Sequence, residues 1–249
     1  MIKLYYLILT LVFSMTLLFP MSCYPLEHKQ AFSIPETLKF RLIYAGVKVG
    51  ESSLTIQAID EHIVITSSAD SSGFISMFFT VKDRVKSTLT IDEYGRMIPL
   101  SYKINLREGG YRRDKEVTFQ LSEGRVIYQD FIKETKEYLE TSPDVVDPLT
   151  SIYLIREREL VIGKTELIKI YDSKKFWDVE VLILRKETIK TPAGVFDTIV
   201  VRPLMKSEGI FKRSGPMNIY LTDDTKKIPV KLVTKISLGN VIAELIEVK

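Results

Sequence analysis

Few residues in this 249-residue chain have the chemistry for catalysis or metal binding. It holds one cysteine, Cys23, and two histidines, His28 and His62. A structural zinc site needs four Cys or His ligands at short, repeated spacings, so no metal site is expected, and a lone cysteine excludes an internal disulfide. His62 lies between Glu61 and Ile63 at the start of an apolar stretch and reads as a strand-end residue. Neither a Gly-x-Ser-x-Gly elbow nor a Ser-x-x-Lys motif occurs, which removes the commonest serine nucleophiles. Gly163-Lys164-Thr165 looks like the end of a phosphate loop, but the glycine required five residues before Gly163 is Arg158, so these residues read as a turn. Asp223-Asp224 lacks the spaced oxygen ligands of a calcium loop and reads as a turn of acids. A carboxylate pair for glycoside hydrolysis needs no local motif and stays open. The densest basic stretch, Arg107-Glu-Gly-Gly-Tyr111-Arg112-Arg113-Asp-Lys115, carries two glycines and two acids; it reads as a solvated hairpin loop, with contact to anionic lipid or polysaccharide as the alternative. No catalytic residue and no cofactor are expected.

Charge and composition narrow the class. Lys+Arg total 35 against Asp+Glu 32, a formal net charge of +3, with 45% hydrophobic residues. That balance suits a globular fold and is too weakly basic for a dedicated nucleic-acid binder.

The amino terminus gives an address. Lys3 is the only charge before Glu27, and Leu4–Phe19 is an uncharged, mostly apolar run. A positive start followed by such a run reads as a secretory signal segment, residues 1–23. As a helix the run spans about 24 Å, short of the roughly 30 Å hydrocarbon core. Cys23 follows Ser22 where a lipoprotein signal places its acylated cysteine, but Pro20 occupies the position that favours an aliphatic residue. Cys23 is thus either discarded with the signal or lipidated. The expected location is the periplasm, free or lipid-anchored, with an extended segment at 24–35 and a single β domain at 36–249.

The body alternates with period two. Odd positions from Phe79 to Ile91 include Val81, Val85 and Leu89; even positions from Ile98 to Leu106 read Ile, Leu, Tyr, Ile, Leu. Leu38–Tyr44, Trp177–Ile183 and Ile228–Ile236 repeat the pattern, which marks half-buried antiparallel strands. One stretch departs from it. Asp147 suits a helix cap, Pro148 the first turn, and Leu149, Ile152, Tyr153 and Arg156 recur at helical spacing, which predicts one helix over about 148–159. It separates two runs of strands, about 36–140 and 165–248. Asp92…Ile98-Pro99-Leu100 and Asp223…Ile228-Pro229-Val230 are two versions of one hairpin device, an acidic turn followed by a strand that opens Ile-Pro-aliphatic.

Taken in order, Leu42-Ile-Tyr44-Ala-Gly46-Val-Lys-Val-Gly50-Glu51, Asp147-Pro-Leu-Thr-Ser151-Ile-Tyr153-Leu-Ile-Arg156, Thr191-Pro-Ala-Gly194-Val-Phe196-Asp-Thr198 and Tyr220-Leu-Thr222-Asp-Asp224 through Val230 resemble an exported bacterial family known as domain of unknown function 3108. Tyr220 stands where a Trp-like aromatic is expected. The family implies no activity and no site residues. The Asp-turn-Ile-Pro hairpins are also similar to those of periplasmic lipoprotein-sorting carriers and envelope-integrity β proteins. That likeness implies a mainly β fold, one large twisted antiparallel sheet forming an incomplete barrel or spiral around a single principal helix.

Phe40, Leu42, Tyr44, Val85, Leu89, Leu100, Tyr102, Val179, Val181, Val230 and Leu232 occupy the apolar phases of their strands and are the candidate concave face. A helix of about 12 residues covers only part of so wide a sheet. The first expectation is therefore a non-catalytic envelope protein that binds an apolar or acyl-bearing molecule, whether lipid, acyl chain or envelope polymer. The alternatives are a scaffold with a filled core and envelope-protein partners, and an enzyme acting on envelope polysaccharide.

Overall fold

The computed structural model describes residues 31–73, 75–78, 80–172, 174–204, 216–236 and 239–249. The signal segment, Cys23, residues 24–30 and Phe79 lie outside the described residues.

The strands of the first run are β1 (Glu36–Tyr44), β2 (Val47–Ile59), β3 (His62–Ser71), β4 (Lys82–Ile91), β5 (Met97–Glu108), β6 (Tyr111–Gln120), β7 (Arg125–Asp130) and β8 (Thr135–Glu140), the period-two segments above falling on β1, β4 and β5. After a helix come β9 (Thr165–Asp172), β10 (Lys175–Thr191), β11 (Gly194–Leu204), β12 (Met217–Thr222), β13 (Pro229–Ile236) and β14 (Gly239–Val248). All fourteen form one sheet in the order β8-β7-β6-β5-β4-β3-β2-β1-β14-β13-β12-β11-β10-β9, with every neighbouring pair antiparallel. The expected mainly β architecture, a large antiparallel sheet not closed into a barrel, is the observed one. A single turn of helix, α1 (Ile75–Phe78), sits between β3 and β4, and the principal helix, α2 (Pro148–Glu157), between β8 and β9. α2 is two residues shorter than the spacing predicts. Arg158 turns extended (φ −78°, ψ 150°), and two residues later Leu160 is buried in the core formed by β9–β11.

The edges β8 and β9 do not pair with each other. The connection after β8 instead runs parallel to β9: Val146 N–H donates to Lys169 O (2.9 Å) and Tyr171 N–H donates to Val146 O (2.8 Å). The gap in the wall is thus spanned by two backbone hydrogen bonds, and Lys174 pairs with Glu137 across it.

Both acidic turns are held by their own carboxylates. Asp92 Oδ1 accepts from the N–H of Tyr94 (3.0 Å) and Arg96 (2.9 Å), and Asp224 Oδ1 from those of Lys226 and Lys227 (both 2.9 Å). The prolines behind them occupy positions that need no ladder donor. Pro229 opens β13, and Pro99 lies beyond the last β5–β6 pair.

Because consecutive antiparallel strands reverse direction, the β1–β2, β3–β4, β5–β6, β7–β8 and β9–β10 connections share one end of the molecule. We call it the mouth, and the opposite end the base.

Candidate functional site

The site is made by where α2 stops. Ten helical residues span about 15 Å, whereas strands of 10–17 residues span roughly 33–56 Å. α2 therefore plugs the base half of the sheet and leaves the mouth half to strand side chains alone.

Its amino terminus is fixed inside the sheet. Asp147, fully buried, accepts from Leu149 N–H (2.9 Å) and Thr150 N–H (3.1 Å) through Oδ1, and from the hydroxyls of Ser87 and Thr150 (both 2.6 Å) through Oδ2. This is the cap that Asp147-Pro148 predicts, with a strand hydroxyl from β4 added. Burial pushes the Asp147 carboxyl above its ordinary value, and the four hydrogen bonds offset only part of that rise.

The far end is locked by an ion pair that no local pattern announces. Arg156, fully buried, donates to both carboxylate oxygens of Glu36 (Nη1 to Oε1 2.6 Å, Nη2 to Oε2 2.8 Å) and from Nε to Lys226 O (3.0 Å). Its guanidinium lies 5.5 Å from the Phe32 ring centre and 5.2 Å from that of Tyr153. One side chain thus ties the helix, the first strand and the β12–β13 turn together at the base.

Above the helix lies a cavity of about 270 Å³. Its floor is Pro148, Leu149, Ser151, Ile152 and Ile155; one wall is Ser67, Val85 and Tyr102 from β3–β5; the other runs from Ile168 and Ile170 through Val179, Val181 and Val201 to Ile219 and Leu232. Pro203 and Met217, at the mouth ends of β11 and β12, complete the lining. Both buried apolar clusters contribute to its lining, the larger one through Tyr102 and Leu149 and the smaller one, on β9–β12, through Ile155, Ile168 and Val181. No Asp, Glu, His, Cys, Lys or Arg lines it among the described residues, so what it offers is desolvation rather than acid–base chemistry. Tyr102, on the β5 wall, carries a buried hydroxyl that has no hydrogen-bond partner among the described residues. Burial, with the Asp172 and Asp147 carboxylates nearby, holds that phenol well above its ordinary value, so it stays a neutral donor.

A second hollow, about 430 Å³, lies at the base between the β4–β5 turn and the end of α2. Asp144 and Glu157 both line it, so it is where a hydrolytic carboxylate pair would be sought. The Ser142 hydroxyl and Lys169 (2.9 Å) hold Asp144 below its ordinary value, the opposite of what a general acid requires.

Of the eleven residues proposed for a concave face, Val85, Tyr102, Val179, Val181 and Leu232 meet at the cavity. Phe40, Leu89 and Val230 are buried in the packed core beside it, and Leu42 and Tyr44 are half-buried at the mouth end of β1. Leu100 leaves the face. The β4–β5 register shifts there, with Thr88 opposite Ser101 and Leu89 opposite Pro99, so Leu100 is the unpaired extra residue and burial passes from Tyr102 to Pro99. The floor and the Ile168, Ile170, Val201 and Ile219 wall were not singled out from sequence, although Ile168 and Ile170 show the same alternation. The basic stretch Arg107–Lys115 forms the β5–β6 hairpin, turning at Gly109-Gly110 at the mouth.

The sequence matches the profile of a family described as protein of unknown function (DUF3108) over residues 39–246. No curated protein matches. A β-barrel-like protein of domain of unknown function DUF1849 from Brucella abortus superposes with a TM-score of 0.55 at 8% identity, covering 87% of this chain and 97% of that one. A protein with a YmcC-like fold from Bacteroides fragilis gives a TM-score of 0.31 at 9% identity, covering 87% and 96%. The first likeness is one of fold.

Proposed function

The chain belongs to the DUF3108 family, which supplies no activity to inherit, and from its own geometry we propose that it is a non-catalytic, exported envelope protein that holds an apolar or acyl-bearing molecule above α2. The observation that carries this reading is the 270 Å³ cavity with its apolar lining, plugged at the base by the helix. Ligand pockets run from about 300 to 1,000 Å³, so this one, at the lower edge, suits a single acyl chain or one small apolar group rather than a two-tailed lipid. Ten buried methylenes at about 0.8 kcal/mol each would contribute about 8 kcal/mol before association costs. Export is supported by Lys3 and the Leu4–Phe19 run.

The test is titration of delipidated protein with a fluorescent fatty-acid probe. Saturable binding, displaced by fatty acid and weakened at least tenfold in Val201→Phe with the fold intact by circular dichroism, is the expected result. Absence of saturable binding in the parent protein overturns the reading and favours a scaffold whose sheet edges meet other envelope proteins.

A further inference from the structure

Four of the described turns at the mouth share a side-chain pattern. Val47, Met77, Ile132 and Phe176 are 59%, 78%, 53% and 43% exposed. They lie in or directly beside four different connections, β1–β2, β3–β4, β7–β8 and β9–β10, which antiparallel pairing gathers at one end. Three of them have a cation as sequence neighbour, Lys48 beside Val47, Lys133 beside Ile132 and Lys175 beside Phe176. Lys133, Lys175 and Arg112 on the β5–β6 turn are exposed, and among the described residues none has a carboxylate within 4 Å, whereas Lys48 and Lys174 do.

Single exposed apolar residues need no explanation. Four of them interleaved with uncompensated cations, around the end toward which an apolar cavity extends, need a partner that is both greasy and negative. An acidic protein surface would answer the cations, but it would also need apolar pockets placed to match tips from four separate turns. The headgroup zone of an anionic bilayer answers both, since apolar side chains enter the interface by about 5–10 Å while Lys and Arg remain at the lipid charge. The base carries exposed apolar side chains too, Ile59, Tyr94 and Val195, but its turns set the acids Asp60, Glu61 and Glu93 among Arg158 and Lys227, whereas the acid beside the mouth cations is Glu134, next to Lys133.

We propose that the mouth rim docks on an anionic lipid surface and brings the cavity mouth down onto the bilayer. The rim needs no ligand in the cavity, so this goes beyond the binding reading above.

Amide hydrogen exchange of the full chain with vesicles tests it, because the readout is local and holds even where the amino-terminal segment tethers the protein. On phosphatidylglycerol-containing vesicles, exchange in 131–134 and 174–177 should slow several-fold at low salt, with 92–96 at the base unchanged and no slowing on pure phosphatidylcholine. The variant Ile132→Ser, Lys133→Glu, Lys175→Glu, Phe176→Ser should lose the effect, the cations alone accounting for at least about fivefold each in vesicle affinity. Equal protection of base and mouth, equal response to both vesicle types, or none to either, overturns the proposal. The fatty-acid probe, titrated without vesicles into parent and variant, reads the cavity separately: unchanged probe binding with no rim protection discards docking alone, and rim protection without probe binding discards the cavity reading alone.

Discussion

Arg156 and Glu36 stand 120 positions apart in the chain and both are buried. A buried pair is costly to assemble but more costly to break, because the survivor keeps its charge without its partner. Arg156→Ala should therefore destabilise the protein by about 3–5 kcal/mol in urea unfolding, and adding Glu36→Gln should recover part of that loss. The acid range separates two further carboxylates. Burial raises Glu244, but Arg41 (2.8 Å) and Lys231 (3.1 Å) outweigh it and hold the group below its ordinary value. Its contribution is present above the unfolded value of about 4.3 and is lost as pH falls through the folded one. Asp147 runs the other way: raised by burial, its contribution is full below about 3.9 and lost as pH rises through the folded value. Unfolding free energies between pH 3 and 7 should show a flatter acid limb for Glu244→Gln and a smaller decline on raising the pH for Asp147→Asn. Asp147 was legible in the sequence because a cap is a local device, with its partners two and three residues away. Glu36 was not, because nothing within helical or strand spacing marks a carboxylate whose partner is 120 residues downstream.

At the level of elements, period two marked β1, β4, β5, β10 and β13, and it failed where the period itself breaks. The Leu100 bulge switches burial between odd and even positions within one strand, which a uniform alternation cannot express. A second irregularity, between Leu42 and Ile43, stands beside Gly50, whose partner in β1 is Leu42. A Cβ on Gly50 would lie 2.3 Å from the backbone oxygen of Asp70 in β3, an approach that only glycine permits. Gly50→Ala should cost about 1–3 kcal/mol, with faster amide exchange in β2 and β3 than in β6 and β7. Helix length was over-read by two residues for a related reason: burial of Leu160 in another cluster, a tertiary effect, draws the chain out of helix at Arg158.

For the whole molecule, the broad class was readable because five alternating segments spread over both halves and one capped helix leave few architectures, and an open sheet around a short helix is the one observed. The cavity was not readable residue by residue. It depends on which apolar side chains sit above the helix rather than against it, and that is set by strand register and by the depth at which Ser87 holds Asp147. Occupancy has a consequence for stability by mass action. Fatty acid at a hundred times its dissociation constant should add about 2.7 kcal/mol and raise the melting temperature, an effect absent in Val201→Phe.

The strand order also has a consequence in time. Every neighbouring pair in the sheet is consecutive in sequence except one: β1 waits beside β14, with Leu38 opposite Val248 and Thr37 exchanging backbone hydrogen bonds with Lys249 (2.8 and 2.9 Å). The two meanders, β1–β8 and β9–β14, can each zip up locally, but the seam that joins them closes a loop of about 200 residues. A chain emerging amino end first keeps the inner edge of β1 open until its last ten residues are free. Deleting β14 would therefore leave two half-sheets, each with a raw edge, rather than a slightly smaller version of the same protein.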